Sequence, residues 1–355
     1  MIRVAYVINY LGKNGPSHVV LNLINNIDKK KYDISLITLF PGNDVETIMR
    51  LRNSGVTVYE CTGLNRMKCL TGHEKEFTEI IGKGKFDVLH THGIIPDVLS
   101  SRLKFPLKKV TTLHNNMYED YLDTYGYVKS RIFVVLHLAA LKKLDECVCC
   151  SESIYQAMKF KVANVSYIRN GIEQVSSHTV VTREEVNIPE RARVYLFAGA
   201  LNSRKNIVDL VEDFVSCHNA DEYLMVLGKG EKESKCKEKA DDHVRLLGFQ
   251  TDPAAFMNIA DVYVSASKSE GFSISVLEAL SCGLGLFLSD IPSHEEVIQM
   301  GRDTYLGETF QRSNFKTKME LIRKKCLIKK EIAAFQKEYL SASRMAAEYQ
   351  KKYEN

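Results

Sequence analysis

No stretch of this sequence comes near the roughly 20 consecutive apolar residues that a membrane span requires. The nearest, 132–141, carries His137 and is flanked by Arg131 and Lys142, so the chain is expected not to cross a membrane. The amino end, Met1-Ile2-Arg3-Val4-Ala5-Tyr6-Val7-Ile8, is apolar but too short for a signal sequence, and it reads as a first strand. The nine cysteines are odd in number, and only Cys147, Cys149 and Cys150 are crowded together. That spacing fits neither a disulfide framework nor a zinc site, which points to reduced thiols in the cytosol. No internal repeat and no low-complexity tract appears. Basic residues are not interleaved with aromatics as in a nucleic-acid module, so no nucleic-acid partner is expected. No cluster is spaced for a metal, and no aspartate pair sits at a strand end to hold Mg²⁺ against a diphosphate.

What is present is ordinary globular material: 355 residues, 45% hydrophobic and 26% charged, enough for two domains with their own cores. The net charge of +4 is uneven. Residues 1–170 hold 23 Lys and Arg against 16 Asp and Glu, and the remainder holds 25 against 28. A basic first half suits an anionic surface or a phosphorylated substrate, although a solvated lysine-rich surface with no partner has the same composition.

Short β-branched runs at 3–9, 34–40, 57–61, 88–91, 109–113 and 146–150 alternate with helical patterns such as 19–27, 44–53 and 74–81. This predicts a parallel sheet wound on both sides. The series stops near 166–172, a polar stretch 173–193 reads as a linker, and a second series follows at 194–199, 224–228, 244–247, 261–266 and 286–288. The expected architecture is α/β: two doubly wound Rossmann-like domains facing a cleft. The boundaries are 1–170, joined by a returning helix within 335–355, and 171–334.

Two glutamates eight positions apart carry the strongest chemical signal. Glu270 lies just past the run at 261–267, and Gly271-Phe272-Ser273 follows it. Ser273 suits a helix N-cap and Gly283 a left-handed helix end. The free amides of Gly271, Phe272 and Ser273 would then face the crevice beyond the strand ends, where hydroxyls or phosphate oxygens bind. Glu278, five residues past Ser273, would stand roughly 7.5 Å down the helix axis, so the pair could contact two parts of one extended ligand. Ser275, Glu278 and Ser281 also fit the solvated stripe of any surface helix.

This ordered set resembles the retaining glycosyltransferases of the GT-B fold, in the large family four of nucleotide-sugar-dependent enzymes. The likeness runs from Asp87-Val88-Leu89-His90-Thr91-His92 and Thr111-Thr112-Leu113-His114-Asn115, through Arg169-Asn170-Gly171-Ile172, Gly199-Ala200-Leu201 and Lys205-Asn206, to the segment Gly248 to Gly283 and on to Ser289-Asp290-Ile291-Pro292 and Glu296. It implies an N-terminal domain that binds the acceptor and a C-terminal domain that binds the donor. Glu278 would receive the ribose hydroxyls. Glu270 and the amides of Gly271, Phe272 and Ser273 would hold the transferred sugar and distal phosphate, while Gly248 and Phe249 would seat the base. Lys205, with Arg204, would offset charge growing on the diphosphate. His114 would face the transferred sugar, and Asn14-Gly15 would form the first-domain loop.

Three departures from the family pattern stand out. Ala200 occupies a place where arginine is usual, Asn14-Gly15 replaces paired glycines, and Gly285 replaces a proline. Arg204 is a candidate to supply the missing cation, and Asn14 is expected to tolerate left-handed angles. The resemblance implies a metal-independent, retaining transfer with no cofactor, from a UDP-sugar to a saccharide or lipid-linked saccharide, on the cytoplasmic face of a membrane that the basic domain contacts. The competing readings are a non-catalytic GT-B subunit that binds a partner or glycan, and a nucleotide-sugar epimerase or phosphorylase of the same architecture.

Overall fold

The computed structural model describes residues 1–42, 44–71, 75–177, 179–301 and 304–354. The chain divides into two compact units, Met1–Gly171 with Ala342–Asn355, and Ile172–Ser341. In the first, seven strands form one parallel sheet: β1 (Ile2–Ile8), β2 (Tyr32–Thr38), β3 (Thr57–Glu60), β4 (Val88–His92), β5 (Lys108–Leu113), β6 (Glu146–Cys149) and β7 (Val165–Tyr167). Their order is β3-β2-β1-β4-β5-β6-β7. In the second, β8 (Arg193–Ala198), β9 (Glu222–Leu227), β10 (Val244–Gly248), β11 (Val262–Ser265), β12 (Gly285–Ser289) and β13 (Gly307–Phe310) follow the order β10-β9-β8-β11-β12-β13, again all parallel. Residue 74 of the expected helix 74–81 lies outside the described residues, and the helix described there is Lys75–Gly84.

Central strands such as β1 and β11 read as continuous apolar runs because helices cover both faces of a parallel sheet. Val4 to Val7 and Val262 to Val264 are all essentially inaccessible. Each sheet reverses its winding once, between β1 and β4 and between β8 and β11. The carboxyl ends of those neighbouring strands diverge there and leave a crevice for a ligand.

The returning helix is shorter than expected. Lys329–Tyr339 packs on the helix Ile274–Ser281 and stays with the second unit, so only the helix Ala342–Glu354 joins the first. Residue 355 lies outside the described residues. Met345, Ala346, Tyr349 and Tyr353 form the buried face of that helix. Tyr353 bonds Tyr6 at 3.2 Å and His90 Nδ1 at 2.7 Å, and Tyr349 bonds Thr112 at 2.7 Å. All nine cysteines are free thiols.

Candidate active site

At the β8/β11 reversal two loops meet. After β8, Asn202 receives the Lys205 amide on its side chain at 2.9 Å, and Asn206 turns left-handed at φ 53° to start the helix Ile207–Val215. After β11, Lys268 donates its amide to the Arg204 carbonyl at 2.9 Å, and Arg204 Nη1 donates to the Ser269 carbonyl at 2.9 Å. These bonds bring Lys205 Nζ to 2.5 Å and Arg204 Nη1 to 3.1 Å from the two oxygens of Glu270. Burial alone would raise the Glu270 carboxyl, but Lys205 and then Arg204 outweigh it and hold the group at about 2. Two cations against one buried carboxylate leave a local positive excess.

Glu278 is the opposite case. It makes no hydrogen bond or ion pair with a described residue, and burial pushes it up to about 7. Both glutamates act on the buried Tyr263 phenol, which is raised by burial first and then by Glu270 and Glu278, and which donates to the Ala198 carbonyl at 3.1 Å. The solvated-stripe reading fails because Ser281 is buried and receives the Val175 amide at 2.8 Å. Ser273 occupies the N-cap position but makes no side-chain capping bond, so the hydroxyl does not satisfy the first-turn amides. Gly271 is buried and the Phe272 ring belongs to the core, which leaves the backbone of these two as their polar offering. Gly283 has φ +77°, as a helix-ending glycine requires. At Gly285 a Cβ would come within 2.5 Å of Leu327, so a leucine fills the space that a larger residue would need.

His294 was not anticipated. It is buried, its Nδ1 is 3.0 Å from the Ser289 carbonyl, and its Nε2 has no partner among the described residues. Burial lowers it to about 4, against the opposing pull of Glu270. Gly248, at φ +69°, and the half-exposed Phe249 line a separate cavity of about 360 Å³ with Leu201 and Lys229.

In the first unit the β1/β4 reversal opens a cavity of about 330 Å³ that brings together Asn14 and His114. His114 Nε2 is 2.9 Å from His92 Nδ1, with the rings stacked at 5.1 Å. Burial lowers His114 to about 4 and also holds His92 well below the ordinary imidazole value. Asn14 is not left-handed as expected. It is extended, at φ −142°, and caps the helix Gly15–Asn26 by accepting the Ser17 amide at 3.0 Å. Gly15 is the first residue of that helix and does not line the cavity.

Two parallel-sheet Rossmann-like domains of this build, with polar loops gathered at each winding reversal, define the GT-B architecture of glycosyltransferases. Residues 13–174 match the family model described as Glycosyltransferase Family 4, and residues 179–332 match the one described as Glycosyl transferases group 1. The chain belongs to the family-four glycosyltransferases. It is 26% identical to the O-antigen biosynthesis glycosyltransferase WclY of Escherichia coli over 374 aligned positions, covering 100% of this chain and 98% of the relative. It is 21% identical to the UDP-Gal:alpha-D-GlcNAc-diphosphoundecaprenol alpha-1,3-galactosyltransferase of the same organism, covering 86% and 84%. Among solved structures, Anabaena HepE in complex with UDP-glucose superimposes with a TM-score of 0.77 at 14% identity, covering 99% of this chain and 100% of the other.

Proposed function

We propose that this glycosyltransferase moves a sugar from a uridine diphosphate donor, with retention, onto a saccharide or lipid-linked saccharide during assembly of a surface polysaccharide such as O-antigen. The observation that carries the reading is the Lys205–Arg204–Glu270 cluster. Its excess positive charge suits a diphosphate, and the unpartnered Glu278 suits two ribose hydroxyls. Arg204 occupies this cluster in place of the arginine missing at Ala200, and the amides of Gly271 and Ser273, just ahead of the helix Ile274–Ser281, add donors. Gly248 and Phe249 seat the base, and His114, with Asn14, serves the transferred sugar. Because protein cations meet the leaving-group charge, transfer needs neither a cofactor nor a metal. Relatives named for O-antigen assembly and for a diphospholipid-linked N-acetylglucosamine support the acceptor class.

A membrane surface fits the first unit. The helix Met117–Leu141 breaks at Gly126 (φ 73°), and beyond the break Val128, Ile132 and Val135 are 72%, 64% and 68% exposed at one helical spacing. Residues 124–144 contain Lys129, Arg131, Lys142 and Lys143 and no acid. An outward apolar stripe with only cations beside it suits an anionic lipid surface. No helix among the described residues is long and apolar enough to cross a membrane.

The test is turnover of UDP-glucose, UDP-galactose and their N-acetylated forms, with N-acetylglucosamine diphospholipid as acceptor, in chelator. Release of UDP with a sugar product of unchanged anomeric configuration, lost in Glu270→Ala, is expected. If no uridine donor is consumed or stabilises the protein against heat, the donor assignment falls; if activity appears only after Mn²⁺ is restored, the metal-free transfer falls.

A further inference from the structure

A further cavity, of about 400 Å³, opens in the second unit away from the donor cluster. Among its lining residues, Arg193 is the first of β8, and Asp221 and Asp261 directly precede β9 and β11. It therefore lies at the amino ends of these strands, whereas Lys205 and Glu270 follow the carboxyl ends of β8 and β11. The residues of β8, at about 3.3 Å each, separate the two ends of the sheet by roughly 17 Å. A small ligand here would not reach the Lys205–Glu270 cluster.

Four cations line the cavity, Arg183, Arg191, Arg193 and Lys329, against Asp221 and Asp261. Asp261 is already committed: its Oδ2 accepts the Val194 amide at 2.9 Å and Arg183 Nη2 at 3.2 Å. The remaining bonds of the cations go to carbonyls. Arg183 donates to Ile259 at 3.1 Å, Glu190 at 2.6 Å and Ala192 at 2.7 Å. Arg193 donates to Ile322 at 3.1 Å and Arg323 at 3.0 Å, and Lys329 Nζ donates to Ala260 at 2.6 Å. A carbonyl fixes a cation in place without cancelling its charge. Arg191 and the Asp221 carboxylate have no hydrogen bond or ion pair with a described residue.

With the Arg183–Asp261 pair set aside, three cations face one carboxylate, a local excess of two positive charges. Arg191 and the uncommitted N–H groups of Arg193 and Lys329 are available as donors. The segment Lys324-Lys325-Cys326-Leu327-Ile328-Lys329-Lys330 adds charge of the same sign and no acid. A phosphate monoester carries about −1.5 to −2 at neutral pH, and arginine forks match its oxygens in pairs. The volume falls within the range of about 300–1,000 Å³ usual for small-molecule cavities. None of the lining residues is aromatic, so the cavity offers nothing on which a nucleotide base would stack.

We propose that this cavity is a second anion site, which binds the phosphate or diphosphate group of a small molecule through Arg191, Arg193 and Lys329, with Arg183 as a positioning residue that ties the segment 183–192 to the sheet. The anion joins that segment, the amino end of β8 and the start of the helix Lys329–Tyr339. The inference does not rest on the donor reading, and the two are tested apart.

The whole chain, labelled with ¹⁵N-arginine, is titrated with inorganic phosphate and inorganic diphosphate against sodium chloride of equal ionic strength. The guanidinium signals of Arg191 and Arg193, assigned by Arg191→Lys and Arg193→Lys, are expected to move with both phosphates and not with chloride. They are expected to move equally in saturating UDP, while the Arg204 signal reports the donor cluster. In Arg191→Ala with Lys329→Ala, the diphosphate dissociation constant read at Arg193 rises about tenfold or more. Lys29→Ala with Lys30→Ala removes the same charge from the first unit and leaves that constant unchanged. Should the first pair not fold, Arg191→Ala alone makes the test, and on the unaltered protein diphosphate is expected to raise amide protection over 183–193. Signals at Arg191 and Arg193 that stay still while diphosphate moves Arg204 overturn the inference, as does equal weakening by the two variant pairs. Phosphatidylglycerol vesicles that move these signals where diphosphate does not overturn it in favour of a lipid headgroup. An Arg204 signal that ignores UDP counts against the donor reading alone.

Discussion

Lys205 Nζ stands 2.5 Å from Glu270 Oε1, and the two side chains are 11% and 8% exposed. Removing either partner strands a desolvated charge, which typically costs about 3–5 kcal/mol. Arg204 still reaches Glu270 at 3.1 Å, so Lys205→Ala is expected at the lower end, about 3 kcal/mol by urea denaturation. Transfer is expected to fall at least about 100-fold, as when a charge-stabilising donor is lost. The double variant Lys205→Ala with Glu270→Ala should be no less stable than Lys205→Ala alone. A Lys205→Ala enzyme keeping more than a tenth of its rate would remove Lys205 from the chemistry.

The two glutamates titrate in opposite senses. Glu270 is held at about 2, below its ordinary 4.5, so its contribution is present above pH 4.5 and is lost as pH falls through 2. Glu278 is raised to about 7, so folding is favoured by its neutral form below pH 4.5 and loses stability as pH rises through 7. A shift of this size corresponds to about 3 kcal/mol. Glu278→Gln should therefore gain stability over the native chain at pH 8 and gain little at pH 4.5. Equal differences at both pH values, measured by denaturant titration, would show that Glu278 is not held in its neutral form.

Both sheets and the Glu270 turn were legible because their signals are local. Buried parallel strands are continuous apolar runs, and Glu270-Gly271-Phe272-Ser273 encodes a strand end, turn and helix start within a few residues. The edge strands β7 and β13 were not legible, being three and four residues long and partly exposed. The hydrogen-bonded series of Asp97, His137 and Tyr121 in the first unit was hidden for another reason. Its partners lie 40 and 16 residues apart on different helical segments, and the His92–His114 pair spans 22 residues across neighbouring strands. No spacing rule encodes such pairs, and parallel-sheet topology alone brings them together. Asn14 was misjudged because its side chain, rather than its backbone freedom, does the work at the helix start.

Deletion of 342–355 should unfold the first unit selectively. It removes the buried Met345, Tyr349 and Tyr353 and takes away the partners of His90 Nδ1 and Tyr6. Each lost large side chain costs about 2–5 kcal/mol, against a typical total of about 5–15. Hydrogen exchange should show protection lost in β1, β4 and β5 and kept in β8, β11 and β12. Retained protection in β4 would show that the C-terminal helix is dispensable.

The exposed stripe on the helix Met117–Leu141 gives a last expectation. Val128, Ile132 and Val135 would each bury part of their apolar surface in a lipid interface, and the neighbouring Lys129, Arg131, Lys142 and Lys143 would each add about 1 kcal/mol near an anionic surface. The cationic part is screened by salt and the apolar part is not. The protein should therefore float with phosphatidylglycerol vesicles at low salt, largely release at high salt, and ignore phosphatidylcholine vesicles. Ile132→Glu with Val135→Glu should weaken vesicle binding about tenfold or more, because the change both removes apolar contact and places acids against the lipid charge. UDP affinity should be unchanged, since both residues belong to the first unit and the Lys205–Glu270 cluster to the second. Flotation equal in the native and doubly substituted chains would move the contact elsewhere. An acidic protein partner captured by the native stripe without vesicle binding would instead make this face a protein interface.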